Sequence, residues 1–209
     1  LIGVLRFLGT NCDRDLYQAV EAVGLKPQWI WYQDTFDPKA YEALLIPGGF
    51  SYGDYLRSGA LAAKAPAMKS LTEAARAGVP VVGVCNGFQI LCEVGLLPGV
   101  LLKNQNGKFI DEWVDLEVVA ASPYTGKKKV RYPIAHGDGR YFVTEEDLKK
   151  IQDKDQVWLR YFDNPNGSTF DIAGVKQDGV YGLMPHPERA LSEWMGGADG
   201  AGFFEGFLK

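Results

Sequence analysis

Val79-Pro80-Val81-Val82-Gly83-Val84-Cys85-Asn86-Gly87-Phe88-Gln89 runs from a short apolar stretch into a helical pattern through Gly-x-Cys-x-Gly. A strand that is apolar throughout fits the centre of a sheet covered on both faces, and Pro80 suits a strand start. Small residues two positions either side of Cys85 permit a sharp strand-to-helix turn that pushes the side chain into the open, a nucleophile elbow with Cys in place of Ser. At such a turn the exposed amide N–H groups of the helix start favour the thiolate. With 25 glycines in 209 residues, glycine at both flanking positions of any of three cysteines arises by chance at roughly 4%. The plainer alternative is a small apolar residue filling a strand end.

Outward from this stretch, the N-terminal half alternates short apolar or β-branched runs with helical patterns. Strands are predicted at Gly3 to Phe7, Gln28 to Tyr32, Ala43 to Ile46 and Val79 to Val84, and helices at Asp13 to Val23, Ala60 to Ala77 and Phe88 to Val94. Strand followed by helix, repeated, predicts a doubly wound α/β unit with a parallel sheet. From Gly99 the character changes. Val114 to Ala120, Val130 to Ala135, Val157 to Phe162, Ile172 to Lys176 and Val180 to Met184 read as strands joined by turns at Tyr124-Thr125-Gly126, Asn164-Pro165-Asn166-Gly167 and Gln177-Asp178-Gly179, which is hairpin chemistry. Thr144 is the expected N-cap of a helix reaching Ile151, and Gly200 to Lys209 the expected closing helix. Neither a linker nor a repeat is evident, so residues 1–209 are expected to form one domain.

Composition narrows the chemistry. The chain carries 22 Lys and Arg against 26 Asp and Glu, a formal net charge of −4, and only three Cys and two His. No Cys-x-x-Cys or His-x-x-x-His spacing exists to hold zinc, and three scattered cysteines make no disulfide framework; a reduced, cytoplasmic setting is the expectation. The apolar runs are too short to span a bilayer, and no signal peptide or anchor is expected. Because the first residue is Leu, a short N-terminal piece is expected to be missing from this numbering. Lys127-Lys128-Lys129 with Arg131 reads as a solvated turn in an acidic protein, not a nucleic-acid footprint. Neither a Gly-x-x-x-x-Gly-Lys-[Ser/Thr] loop nor a Gly-x-Gly-x-x-Gly after the first strand is present, so no nucleotide site is expected in this chain.

A cysteine nucleophile needs a base. His186 lies in Met184-Pro185-His186-Pro187-Glu188 after an apolar strand, where two prolines are expected to hold the backbone extended. Residues two apart then share a face, so Glu188 stands beside His186 and orients it, the logic of a triad. His136, in Ala135-His136-Gly137-Asp138-Gly139-Arg140, is the rival base, with Asp138 also two residues on; its glycines favour instead a backbone that approaches a ligand. Leu44-Leu45-Ile46-Pro47-Gly48-Gly49-Phe50 is another buried strand ending in glycines, whose N–H groups together with that of Asn86 suit an oxyanion hole. Acyl transfer through a thioester, without a cofactor, follows from these residue types.

Strand-Gly-Gly, Gly-x-Cys-x-Gly-x-Gln and Pro-His-Pro-Glu, in this order, resemble the class I (triad) glutamine amidotransferases. Within them, Gly49-Phe50-Ser51-Tyr52-Gly53-Asp54-Tyr55-Leu56-Arg57, Gly9-Thr10-Asn11-Cys12-Asp13-Arg14, Ala135-His136-Gly137-Asp138-Gly139-Arg140 and Pro185-His186-Pro187-Glu188-Arg189 are similar to the glutaminases that serve phosphoribosylformylglycinamidine synthases. Leu8 stands where that pattern has Pro. The resemblance implies a flavodoxin-like α/β fold with added antiparallel strands and a catalytic set of Cys85, His186 and Glu188. It also implies an oxyanion hole from the Gly49 and Asn86 amides, and glutamine held by Gln89, His136 and the backbone at Gly137. It further implies separate partners, an ATP- and magnesium-binding synthetase together with a small bridging subunit, with no cofactor in this chain. Two rivals stay open here: another Cys-His-Glu hydrolase or amidotransferase on the same fold, and a catalytically silent flavodoxin-like regulatory module.

Overall fold

The computed structural model describes residues 1–120 and 127–206; the expected Tyr124-Thr125-Gly126 turn and the last three residues of the expected closing helix lie outside them. In chain order the elements begin β1 (Ile2–Arg6), α1 (Asp13–Ala22), β2 (Pro27–Trp31), β3 (Ala43–Ile46), α2 (Pro66–Arg76), β4 (Val81–Val84) and α3 (Asn86–Glu93). They continue with β5 (Val100–Leu102), β6 (Ile110–Val118), β7 (Lys129–His136), β8 (Arg140–Phe142), α4 (Glu145–Asp153), β9 (Val157–Tyr161), β10 (Ile172–Gln177), β11 (Val180–Leu183) and α5 (Asp199–Glu205). Two compact units result: Leu1–Leu97 with Gln177–Gly182, and Pro98–Lys176 with Leu183–Lys209.

In the first unit the strand order is β2-β1-β3-β4-β11. The first four strands pair in parallel, with Val4 opposite both Trp29 and Leu45, and Leu45 opposite Val82. Parallel neighbours need crossovers, and α1, between β1 and β2, and α2, between β3 and β4, supply them. Every residue of β3 and β4 is buried, as the unbroken apolar runs predict. Leu16, Ala19 and Val20 of α1, Leu71 and Ala74 of α2, and Phe88, Ile90 and Leu91 of α3 complete this core. The expected helix from Ala60 to Ala77 is interrupted: a short 3-10 turn at Ala62–Lys64 comes first, and α2 begins at Pro66. Pro66 has no N–H to continue a helix but fits the first helical position.

The second unit carries the antiparallel strands, in the order β10-β9-β6-β7. The long β6 pairs with β7, Val114 opposite Tyr132, and with β9, Leu116 opposite Tyr161. Burial alternates along β7, the period-two pattern of a strand with one face in the core. The register between β9 and β10 shifts around Gly174, as at a β-bulge. A separate two-stranded ribbon, β5 with β8, was not foreseen; at three residues each, its strands are too short to show alternation. Thr144 caps α4 as expected, its hydroxyl accepting from the Asp147 N–H at 3.2 Å. Asp199, opening α5, accepts from the Arg131 N–H at 2.8 Å and pairs with Lys127 at 2.5 Å, while Lys128 and Lys129 are exposed. The chain thus has the expected α/β class, a parallel sheet with added antiparallel strands.

Candidate active site

In the first unit, β4 ends at Val84 and α3 begins at Asn86, so Cys85 alone makes the corner, with φ 52° and ψ −106°. A positive φ is costly for a side-chain-bearing residue and persists only where its surroundings enforce it. Here the enforcement comes from the flanking glycines: a Cβ on Gly83 would lie 2.5 Å from the Gly87 carbonyl oxygen, and one on Gly87 would overlap the Ile46 carbonyl oxygen. The elbow anticipated from Gly-x-Cys-x-Gly is formed, and α3 starts two residues earlier than its periodicity suggested because the corner itself launches it. Cys85 is buried.

The same unit holds Gly49, in the loop after β3, and Asn86 and Gln89, on α3. Gly49 has φ 121°, and a Cβ there would come within 2.6 Å of the Asn11 backbone nitrogen, so only glycine fits. Asn86 ties the loop after β3 to α3: its Oδ1 accepts from the Ser51 N–H at 3.2 Å, and its Nδ2 donates to Gln89 Oε1 at 2.8 Å and Asp54 Oδ1 at 3.3 Å. Tyr52, Asp54 and Leu56 all have positive φ in the run from Gly49 to Arg57. That run rests on the β1–α1 turn through Phe50 N–H to Gly9 O at 3.3 Å and Tyr52 N–H to Leu8 O at 2.6 Å. The run of residues that marked the resemblance is therefore a backbone-specific brace beside Asn86.

In the second unit, His186 and Glu188 form a buried pair, with Nδ1 and Oε1 2.6 Å apart and side-chain exposures of 1% and 0%. Proximity at i and i+2 was expected, but not its cause. Pro187–Arg189 is a 3-10 turn with Pro187 at its first position, so the chain curls rather than staying extended; proline's fixed φ suits such a start. The His186 N–H donates to Pro133 O at 2.8 Å, anchoring the turn to β7.

His136, at the end of β7, is 3% exposed. Its Nδ1 meets Asn104 Oδ1 at 3.1 Å, so the partner of this ring is an amide and not the Asp138 that the sequence offered. Burial, aided by the neighbouring His186 and opposed by Asp138, pushes the His136 imidazole down to about 4. Gly139 packs on the face of this ring, leaving no room for a Cβ. The Gly137 carbonyl accepts from the Asn104 N–H at 2.8 Å. Asn104 itself escaped sequence reading, as did Asn166 and Ser168, which share this buried region: Asn166 Nδ2 donates to Gly139 O at 2.9 Å, and Ser168 Oγ accepts from the Tyr141 N–H at 3.0 Å. The one sequence signal was the Asn-rich composition of Asn104 to Gly107 and Asn164 to Gly167, more asparagine than two turns need.

Cys12 is buried at the start of α1 with its Sγ 3.6 Å from Asn11 Oδ1, and none of the three cysteines is in a disulfide. Among the described residues no cluster of three or more His, Cys, Asp or Glu is arranged to hold a metal ion, and no helix is long and apolar enough to cross a membrane.

A strand-to-helix cysteine corner, an oriented histidine and glycine-shaped turns are the parts of an acyl-transfer enzyme of the triad type. Residues 2–198 match the CobB/CobQ-like glutamine amidotransferase domain, and the chain belongs to that family. It is similar to a chain in the structure of PurLQS from Thermotoga maritima, at 46% identity over 99% of this chain and 96% of that one, with a TM-score of 0.90. More distant likenesses show the fold alone. A putative GMP synthase component from Thermoplasma acidophilum has 13% identity and a TM-score of 0.65, covering 100% of this chain and 92% of that one. A glutamine amidotransferase from Thermotoga maritima has 17% identity and a TM-score of 0.62, covering 90% and 76%.

Proposed function

We propose that this chain is the glutaminase subunit of a phosphoribosylformylglycinamidine synthase, working in the cytoplasm. The observation that carries the reading is 46% identity over 99% of the chain to a subunit-sized chain of PurLQS, with a cysteine at the elbow and a histidine–carboxylate pair both present. It disfavours the silent module and another Cys-His-Glu hydrolase or amidotransferase on the same fold. In the reaction, Cys85 Sγ attacks the side-chain carbonyl carbon of glutamine. The Gly49 and Asn86 amides hold the resulting oxyanion. His186, oriented by Glu188, passes a proton to the leaving nitrogen, so that the C–N bond breaks and ammonia departs from a γ-glutamyl thioester. Water, deprotonated by His186, then releases glutamate and the thiol. Gln89, His136 and the backbone at Gly137 line the substrate's amino-acid end.

The ammonia is consumed by a separate synthetase subunit, which binds ATP and magnesium and converts formylglycinamide ribonucleotide to formylglycinamidine ribonucleotide; a small bridging subunit completes the complex. Glutamine turnover by the isolated chain and by the assembled complex tests this reading. Activation on assembly is the expected result, and equal rates would refute dependence on the partner. Treatment with a glutamine-like electrophile and mass mapping should label Cys85; an unlabelled Cys85 in a protein that still turns over glutamine would remove it from the mechanism.

A further inference from the structure

Five of the hydrogen bonds that Asn104 makes determine more than its own position. Its Nδ2 lies 2.8 Å from two carbonyl oxygens, those of Lys108 and His136, and only an NH2 group satisfies two acceptors. The other side-chain atom is therefore the oxygen. It accepts from the Gly139 N–H at 3.1 Å and faces His136 Nδ1 at 3.1 Å, and the Asn104 N–H is held by Gly137 O at 2.8 Å. An oxygen cannot donate, so the proton between Asn104 and His136 sits on the histidine. The imidazole is the Nδ1–H tautomer, and its buried Nε2 is a bare lone pair with no partner among the described residues.

A buried acceptor left without a hydrogen bond beside a proposed base calls for an explanation, and its neighbours here point to a functional one. We propose that Asn104 is a positioning residue for the glutaminase reaction: by holding His136 as the neutral Nδ1–H tautomer, it leaves His186 as the imidazole that exchanges protons during turnover. This rests on the reading of His186 as the base. The charged and titratable groups acting on His136 are the His186 ring, from the segment after β11, and Asp138. A carboxylate in place of the Asn104 amide would invite a second proton onto His136. The resulting imidazolium would repel the one that His186 must carry.

The full chain has two histidines, so ¹⁵N-histidine NMR resolves both, and His186→Asn assigns the remaining ring. His136 should show a protonated Nδ1 and a bare Nε2, without titration between about pH 5.5 and 8. An Nε2–H tautomer, or titration of this ring near neutral pH, overturns the proposal. Asn104→Ala should release the tautomer into a mixture; a pure Nδ1–H ring in that variant also overturns it. In the assembled complex, Asn104→Asp should lower kcat about tenfold or more, keep the glutamine KM within about threefold and displace the pH–rate profile to lower pH. A lower kcat with an unmoved profile would assign Asn104 a structural role only. Should the wild-type complex turn over no glutamine, the glutaminase reading fails, while the two NMR arms still decide what Asn104 does to His136.

Discussion

Gly83 and Gly87 face each other across Cys85, so closely that a Cβ on Gly83 would lie 2.5 Å from the Gly87 carbonyl oxygen. The corner that presents the thiol is thus maintained by the absence of two side chains, and a methyl group at either position must push backbone aside. Gly83→Ala or Gly87→Ala should cost about 1–3 kcal/mol of stability and reduce glutamine turnover more than the stability loss explains, because Cys85 is re-aimed. Denaturant unfolding beside turnover in the complex checks this; wild-type values of both would show a tolerant turn.

Replacing Cys85 separates the two halves of the proposed reaction. Cys85→Ala should abolish synthesis from glutamine while synthesis from ammonium salts in the complex continues near the wild-type rate, since the thiol serves only to release ammonia. Loss of both activities would mean that the cysteine has a second task.

The 2.6 Å His186–Glu188 pair predicts a sharp effect from a nearly isosteric change. Glu188→Gln removes the charge and can present an NH2 group to Nδ1, favouring the tautomer with its proton on Nε2, where the proton from Cys85 should go. A fall in kcat of about 10²–10⁴-fold is expected, by analogy with the loss of the orienting carboxylate in serine triads, with a smaller change in KM. Steady-state kinetics of the complex measure it.

His136 makes the fold acid-sensitive. Its folded value of about 4 lies below the ordinary 6.5, so between these values the unfolded chain binds the proton and the folded one does not. Stability from this residue is complete above about pH 6.5 and is lost as pH falls toward 4, in total about 3 kcal/mol. Urea unfolding at pH 7.5 and 4.5 should show this loss, and His136→Gln should show a smaller loss over the same interval. Equal pH dependence in the two proteins would remove His136 as its source.

How much of this was legible depends on how local the signal is. The elbow lies within five consecutive residues, Gly83 to Gly87, and its two glycines act on neighbouring backbone, so the sequence alone predicts it. β3 and β4 declare themselves by unbroken apolar runs because both of their faces are buried. The proximity of Glu188 to His186 was legible as spacing, although the reason differs: a turn started by Pro187 brings the two together.

By itself the sequence determined the α/β class and the elbow at Cys85, and its motifs put His186 ahead of His136 as the proposed base, since these rest on periodicity and short motifs. What surrounds each histidine was a tertiary matter. Both have a carboxylate two residues on, yet His186 pairs with its Glu188 while His136 turns to Asn104, 32 residues away. A hydrogen bond over that separation leaves no periodic trace in the chain, because it is made only when β7 and the segment after β5 are brought together. The low folded value at His136 has the same origin: desolvation belongs to a place in the core and not to a residue type. What the tertiary structure added was therefore the surroundings of each candidate, which differ for two chemically identical side chains because they lie in different places of the fold.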